Sequence, residues 1–253
     1  MFKEEFQAVC SSGAAKVNLM KKNPTGYLVS SMVAGMFISF GSFVAFVLGS
    51  VISAGEVASL TKPAQAFAFA AALSLVVMAG AELFTGNNLV LGAAALRKAV
   101  SWGDAVKLWV FCWIGNLVGS LLTTAVFALT KIPTGATGDY FTSIALGKVT
   151  LGPVELLSRA VLCNILVCLA VWCATKMKTE SGKLIMIFWC IFVFMVCGFE
   201  HSIANMSIEA VALFNGGVTL GQYAYSVLLA TAGNMVGGFL FVAAPYCCIS
   251  REK

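Results

Sequence analysis

Long stretches with almost no charge constrain the fold of this chain more than any other feature. Residues 23–55, 108–130 and 160–175 contain no Asp, Glu, Lys or Arg, and Glu82 is the only charged residue in 63–96. A helix needs about 20 mainly apolar residues to cross a bilayer, and each stretch with its flanks reaches that length. The chain is 11% charged, against about 25% in soluble domains, and its mean hydropathy is +0.93. These values exclude a soluble protein and predict an all-α polytopic membrane protein.

Breaks in the apolar pattern divide the chain into six predicted membrane helices. Turn-forming and charged residues separate the six segments. The segments cover about residues 27–52, 64–97, 103–130, 154–176, 184–212 and 220–248. Within residues 1–22, Phe2, Phe6 and Val9 begin a helical spacing of apolar residues, which predicts a cytoplasmic amphipathic helix on the membrane surface. We expect a single transmembrane domain over residues 1–253.

Lysine and arginine are distributed unequally between the two sides that these segments define. Twelve lie on the side of the termini: Lys3, Lys16, Lys21, Lys22, Arg97, Lys98, Lys107, Lys176, Lys178, Lys183, Arg251 and Lys253. Four lie on the other side: Lys62, Lys131, Lys148 and Arg159. The positive-inside bias therefore predicts that both termini are cytoplasmic in a multi-pass protein of the cell inner or plasma membrane. Because orientation explains the net charge of +5, we predict no nucleic-acid partner.

The fifth segment contains the only histidine of the chain inside the run Gly198–Met206. Glu200, His201 and Asn205 stand there in a stretch that otherwise suits lipid. Ionisable groups at membrane depth are costly, and they usually line a polar path or cavity. A histidine can also gain or lose a proton near neutral pH. The run therefore indicates the working part of a pore or transporter.

An internal repeat underlies the six segments. Shifting the sequence by 118 residues superposes seven residues on identical ones: Gly80, Glu82, Asn87, Gly115, Asn116, Val118 and Gly119. Each half, about 27–130 and about 154–248, holds three helices. Because three is odd, the halves must have opposite orientations in the membrane. Inverted repeats of this kind place a binding or conduction site where the two halves meet.

Each repeat contains one interrupted membrane segment. The interruptions are Glu82–Asn88 in the second segment and Glu200–Asn205 in the fifth. Each segment is better explained as two half-helices that meet at a loop. The N-terminus of a half-helix presents unpaired N–H groups and the positive end of the helix dipole, which favours anions. The sequence thus predicts six transmembrane helices in a 3+3 inverted repeat, with helices 2 and 5 broken.

Four ordered motifs resemble signatures of the formate/nitrite transporter family. They are residues 82–87, 115–120, 163–170 and 198–206, so the resemblance covers nearly the whole chain. It implies an aquaporin-like fold, with a separate pore in each subunit of a homopentamer embedded in lipid. It also implies transport of small monovalent anions or their conjugate acids, including formate, nitrite and hydrosulfide. Aquaporins themselves match less well, because neither loop contains Asn-Pro-Ala.

The resemblance also implies roles for individual residues. His201 would be the central pore group, with Thr85 opposite, Asn205 and Asn164 nearby, and Lys148 near the external mouth. The hydrophobic constrictions on either side would be Phe69, Leu73, Leu83 and Phe194. The residues that orient the two loops would be Glu82 and Glu200. At the offset of 118 residues Leu83 corresponds to His201, so the pore centre is chemically asymmetric.

Each of these roles has a structural alternative. His201 would otherwise form a hydrogen bond between helices, and Lys148 would be a solvated loop charge. Glu82 and Glu200 would cap backbone groups of the broken helices. By default, the four constriction residues would face lipid or the protein core. These alternatives remain open at the level of sequence.

Passage of an anion through an apolar constriction is the central physical problem. Burying an isolated carboxylate-sized ion costs of order 20 kcal/mol in an idealised continuum treatment. Either His201 donates a proton and the neutral weak acid crosses, or protonated His201 accompanies the anion. Nine cysteines suit a reducing setting and favour hydrosulfide, with formate and nitrite as close options.

Other functional classes are weaker. A proton-coupled formate or nitrite symporter is the main rival to a channel, because inverted repeats also occur in symporters. A membrane enzyme would use His201 with Glu200, but no nucleophile motif accompanies them. No CxxC or Cys/His cluster with zinc spacing occurs, so we predict no metal site and no cofactor. A non-transporting scaffold would need no polar break in two membrane segments.

Overall fold

The computed structural model describes residues 1–251, which contain eleven α-helices and no β-strand. The helices are α1 Lys3–Lys22, α2 Pro24–Ser53, α3 Thr61–Leu75, α4 Phe84–Leu96, α5 Trp102–Leu129, α6 Gly135–Val149, α7 Pro153–Lys176, α8 Glu180–Cys197, α9 Ser202–Phe214, α10 Leu220–Gly238 and α11 Ala244–Ile249. Wider π-helical turns, Val76–Gly80 and Phe239–Ala243, extend α3 and join α10 to α11.

Six helical stretches in the described part of the chain are long and apolar enough to cross a membrane. They are Pro24–Ser53, Ala58–Gly80, Trp102–Leu129, Pro153–Lys176, Glu180–Cys197 and Leu220–Ile249. This confirms the predicted all-α polytopic class with six membrane helices. The second and fifth predicted segments do not continue as single helices, because α4 and α9 are separate elements that follow non-helical residues.

The two interruptions begin earlier than the sequence predicts. The second segment ends at Gly80, which has a φ of 81°, and the fifth segment is followed by Gly198, which has a φ of 71°. Positive φ angles of this size favour glycine, so both turns depend on a residue without Cβ. Asn88 and Asn205, placed in the interruptions by sequence, instead lie in the first two turns of α4 and α9. Asn205 Nδ2 donates to Glu200, whereas Asn205 Oδ1 and both amide atoms of Asn88 are buried without a hydrogen-bond partner among the described residues.

Helix α6 was not predicted and occupies the connection assigned to residues 131–153. It has 15 residues and is not among the membrane-length helices. Its glycines and threonines have low helix propensity, which hides it in the sequence. Packing stabilises it instead, because Ala145 and Val149 form a buried cluster with Ala212 of α9 and Val218. This contact brings Lys148, in the last turn of α6, towards the fifth segment.

Helix α1 packs its apolar face on the membrane helices. Phe6, Val9 and Cys10 are buried in a cluster with Leu89 of α4 and Trp172 of α7. Burial raises the pKa of the Cys10 thiol to about 11, so this cysteine acts as a small packing residue rather than a reactive thiol. The face of α1 that bears Lys16 is therefore held against the second membrane segment.

Equivalent glycines bring the helices of each half into backbone contact. A Cβ atom on Gly119 of α5 would lie 1.9 Å from the carbonyl oxygen of Met32 in α2. A Cβ atom on Gly237 of α10 would lie 2.2 Å from the carbonyl oxygen of Val161 in α7. Both distances are impossible, so only glycine permits these crossings, as is common between membrane helices. The repeat of the sequence is therefore also a repeat of packing.

Candidate functional site

One asparagine holds the break in the second segment. The Oδ1 atom of Asn116 accepts a hydrogen bond from the Phe84 N–H at 2.9 Å. Its Nδ2 group donates to the carbonyl oxygens of Ser31 at 2.7 Å and Glu82 at 2.9 Å. A single buried amide thereby satisfies one donor and one acceptor that the interrupted helix leaves unpaired, and it ties the break to the backbone of α2.

The equivalent asparagine does the same in the fifth segment. Asn234 Oδ1 accepts from the Ser202 N–H at 2.9 Å, and Nδ2 donates to the carbonyl oxygens of Ala160 at 2.7 Å and Glu200 at 3.0 Å. Sequence reasoning gave these two asparagines no site role. The signal was present, because both belong to the seven identities at an offset of 118 residues.

The carboxylate of Glu82 binds side chains rather than helix ends. Its Oε2 atom accepts from Lys16 Nζ at 2.7 Å, the Tyr27 hydroxyl at 2.9 Å and Asn87 Nδ2 at 3.2 Å. A largely buried carboxylate needs a cation and further donors, and α1 supplies the cation here. The alternative role as a backbone cap is wrong for Glu82, since the amide of Asn116 takes that role.

Glu200 has an equivalent arrangement on the other side of the repeat. Its Oε2 atom accepts from Lys148 Nζ at 2.7 Å and from Asn205 Nδ2 at 2.8 Å. The exposed fractions of the Lys148 and Glu200 side chains are 16% and 3%. Lys148 is therefore not a solvated loop charge, and Glu200 is not a backbone cap. Three membrane crossings separate α1 from α6, so the two ion pairs lie towards opposite faces of the membrane.

The two halves meet at a direct contact between Thr85 and His201. Thr85 Oγ1 lies 3.0 Å from His201 Nε2, and His201 Nδ1 accepts from the Ala204 N–H at 3.1 Å. A nitrogen that accepts carries no proton, so the ring is neutral, its proton is on Nε2, and Nε2 donates to Thr85. His201 thus caps the N-terminus of α9, whereas its repeat equivalent, Leu83, provides no side-chain cap to α4.

Asn164 lies behind this contact. Its Nδ2 group donates to the carbonyl oxygens of Thr85 at 3.3 Å and Asn234 at 2.6 Å. The side chain is fully buried and lines neither the cavity beside α1 nor the cavity on the α6 side. Its implied place among the pore residues is therefore an indirect one, in which it holds the backbone of Thr85 from α7.

Two cavities approach the Thr85–His201 contact from opposite sides. The larger, about 590 Å³, lies beside α1 and is lined by Lys16, Glu82, Leu73 and Leu83 among others. The smaller, about 130 Å³, is lined on the α6 side by Lys148, Phe194, His201 and Asn205 among others. Each cavity therefore combines lysine with apolar side chains in its lining, and the smaller one contains a second lysine, Lys62.

Three of the four predicted constriction residues line these cavities, Leu73 and Leu83 in the larger and Phe194 in the smaller, and all four are buried. Their exposed fractions are at most 4%, for Phe69, Leu73, Leu83 and Phe194. The rings of Phe69 and Phe194 meet edge to face with centroids 5.9 Å apart, and Phe194 stacks on the imidazole of His201 at 6.0 Å. Buried apolar side chains thus adjoin the polar pair, and His201 also lines the smaller cavity.

The sequence profile of the family described as Formate/nitrite transporter matches residues 3–248. The nitrite transporter NirC of Escherichia coli is 34% identical over 245 residues, covering 94% of this chain and 88% of that protein. A probable formate transporter of Methanothermobacter thermautotrophicus is 40% identical over 253 residues, covering 92% of each chain.

Two solved structures share the fold. An FNT family ion channel has a TM-score of 0.93 at 30% identity, covering 99% of this chain and 100% of that chain. A pentameric formate channel with formate bound has a TM-score of 0.73 at 27% identity, covering 90% of this chain and 98% of that chain. These proteins are transporters and channels, not enzymes. With a profile match over nearly its whole length and relatives above 30% identity, this chain belongs to the formate/nitrite transporter family.

Proposed function

We propose that this chain forms a channel for small monovalent anions of weak acids. The observation that carries the proposal is the buried polar pair of Thr85 and His201, bordered by apolar side chains, with a lysine-bearing cavity on each side. The relatives named as nitrite and formate transporters, and the pentameric channel with formate bound, support this class of substrate.

The neutral histidine defines how a proton would be transferred. A neutral imidazole does not release its remaining proton at ordinary pH, so His201 must first take up a second proton at Nδ1. That step opens the hydrogen bond from the Ala204 N–H. An anion beside Nε2 favours the charged ring, because opposite charges stabilise each other. The anion then takes the Nε2 proton, and the neutral acid passes the apolar side chains at far lower cost than an ion.

We propose hydrosulfide as the main substrate, with formate and nitrite as close options. Hydrosulfide is the most basic of the three anions, so it takes a proton from an imidazolium most readily. The nine free thiols of the chain suit a reducing setting. The names of the relatives instead favour nitrite and formate. A comparison of the three anions is therefore the decisive measurement.

We propose a homopentamer in which every subunit conducts. Both cavities and the central pair lie within one chain, so a pore needs no residue from a second subunit. Exposed apolar residues on α2 and α5, including Phe40, Val44, Leu122 and Val126, leave an apolar surface for neighbouring subunits or lipid. The twelve lysines and arginines on the side of the termini support a cytoplasmic position for both ends.

The test is flux into liposomes that contain the purified protein. Hydrosulfide, formate, nitrite and chloride are compared at several pH values, with empty liposomes as the control. The expected result is flux of weak-acid anions that rises at acidic pH, and little flux of chloride, whose acid is too strong to take a proton from histidine. Equal chloride flux would contradict the proposal. Accumulation against a gradient, driven by protons, would instead favour the symporter.

Substitutions at Leu83 and Thr85 test whether this loop lines the path. Leu83→Val is expected to raise flux, because the change removes apolar bulk without adding charge. Thr85→Ala is expected to weaken substrate binding roughly fivefold, since one hydrogen bond contributes about 1 kcal/mol. Flux at varied substrate concentration measures both effects. The controls are Leu83→Met, which keeps the bulk of the side chain, and Thr85→Ser, which keeps the hydroxyl. Unchanged flux in Leu83→Val together with unchanged preference in Thr85→Ala would exclude the loop from the path.

A further inference from the structure

Glu209 is a buried acid that the proposed path does not use. It lies on α9 and is fully buried. Its Oε1 atom accepts from the Ser226 hydroxyl at 2.6 Å, while its Oε2 atom has no hydrogen-bond partner among the described residues. In that part of the chain no cation forms an ion pair with Glu209, because the nearby Lys148 is paired with Glu200.

A chain of polar contacts connects Glu209 to the smaller cavity. Ser226 Oγ lies 3.5 Å from Asn205 Nδ2, which also donates to Glu200 Oε2 at 2.8 Å. Glu200 accepts from Lys148 at 2.7 Å, and Lys148 and Asn205 both line that cavity. The acid therefore adjoins the wall of the cavity without facing it.

The charged and titratable groups around Glu209 come from three places. Lys148 faces it from α6, Glu200 from the break before α9, and Tyr223 from α10. The hydroxyl of Tyr223 donates to the carbonyl oxygen of Met206 at 3.1 Å, so that proton is already engaged. In the described residues, α2 and α5 place no charged group against Glu209. Around Glu209 itself the charge is thus one lysine shared by two acids, and Lys62 adds a second cation to the lining of the cavity.

The internal repeat shows that the fold does not require this acid. At the offset of 118 residues, Glu209 corresponds to Leu91 and Ser226 to Leu108, and both leucines are fully buried. The first half of the molecule therefore fills the same positions with apolar side chains. Packing alone therefore does not explain the acid and the hydroxyl at the equivalent positions of the second half.

We propose that Glu209 is a proton-binding site that sets the charge of the smaller cavity, an inference that rests on the proposed anion channel. An ionised carboxylate at this depth would have one neutral donor and no cation of its own, so the acid is held protonated near neutral pH. With Glu209 neutral, Lys148 and Glu200 form a balanced pair. When Glu209 loses its proton to the cavity side, its negative charge offsets that of Lys62, which also lines the cavity, and entering anions are attracted less.

The size of this effect follows from Coulomb's law. A unit charge about 10 Å from the anion, at an effective dielectric constant of about 20, changes the local anion concentration roughly tenfold. Anion flux through the channel should therefore fall at alkaline pH by more than the chemistry of the substrate alone requires.

The experiment compares the full-length protein with Glu209→Gln, which keeps shape and hydrogen bonding but cannot titrate. The ratio of wild-type to variant formate flux is measured from acidic to alkaline pH, which cancels the titration of the substrate. The expected ratio is near one at acidic pH and about a tenth at alkaline pH. Ser207→Ala is the matched control, because Ser207 is buried on the same helix and its side chain bonds, among the described residues, to the Ser39 hydroxyl alone. Its ratio should not change with pH.

Infrared difference spectroscopy tests the proton without relying on flux. The expected result is a carbonyl band of a protonated, buried acid that is absent in Glu209→Gln and disappears as the flux ratio falls. Absence of this band in the wild type, or a flux ratio that does not change with pH, would overturn the proposal. If neither protein conducts formate, the proposed function fails while the band still reports on Glu209. Glu209→Leu, which copies Leu91 of the other repeat, repeats the comparison if the glutamine variant does not fold.

Discussion

His201→Asn is expected to lower weak-acid flux at acidic pH by about 10- to 100-fold and to flatten the dependence of flux on pH. Histidine can take up a proton at acidic pH whereas asparagine cannot, and hydrogen bonds to charged groups contribute about 1.5–3 kcal/mol each. Asparagine is a good N-cap residue, so its Oδ1 atom can still accept from the Ala204 N–H, which His201 binds at 3.1 Å. The measurement is liposome flux against pH, with the oligomeric state checked by gel filtration.

A second variant separates the charge of His201 from its role as a cap. His201→Leu copies the residue at the equivalent position, Leu83, and removes both the proton and the cap. We expect it to lose as much flux as the asparagine variant and to unfold at a lower temperature. A flux–pH curve of correctly assembled His201→Asn that matches the wild type would contradict the proton-donor role.

Breaking the Lys148–Glu200 pair is expected to have the largest effect on stability. Lys148→Met leaves the carboxylate of Glu200 buried without a cation, and loss of one partner of a buried pair costs about 3–5 kcal/mol. The double variant Lys148→Met with Glu200→Gln removes both charges and should recover most of the loss. The stability of both variants is measured by thermal unfolding in detergent, with tryptophan fluorescence as the signal. Equal instability of the single and double variants would show that the charges are not the cause.

The same pair changes what is expected of Lys148→Glu. The sequence alone predicts an effect chiefly at low ionic strength, as for an exposed charge at a pore mouth, where the Debye length is about 10 Å at 0.1 M salt. The pair is largely buried, so salt screens it weakly, and we expect the loss of flux to persist at high salt. Lys16→Met is the matched comparison for Lys148→Met. It should lower the free energy of unfolding by less, because Tyr27 and Asn87 still donate to Glu82.

The sequence by itself determined the membrane class, the six apolar helices and the 118-residue repeat. These features are local or periodic, because hydropathy over about 20 residues decides whether a helix can cross a bilayer. The motifs around His201 are also local in sequence, and they indicated the family. The sequence did not predict α6, since its glycines and threonines are poor helix formers and packing on α9 stabilises it.

Only the tertiary structure decided which polar groups satisfy one another. Lys16 pairs with Glu82 across 66 residues and Lys148 with Glu200 across 52, and no local pattern encodes either choice. The same holds for Asn116 and Asn234, whose amides each serve backbone groups of two separate segments. In the hydrocarbon core no bulk water satisfies a backbone group, so the groups freed by the two breaks depend on partners within the folded protein. Those partners are set by how the two halves pack against each other, and that packing exists only in the folded chain.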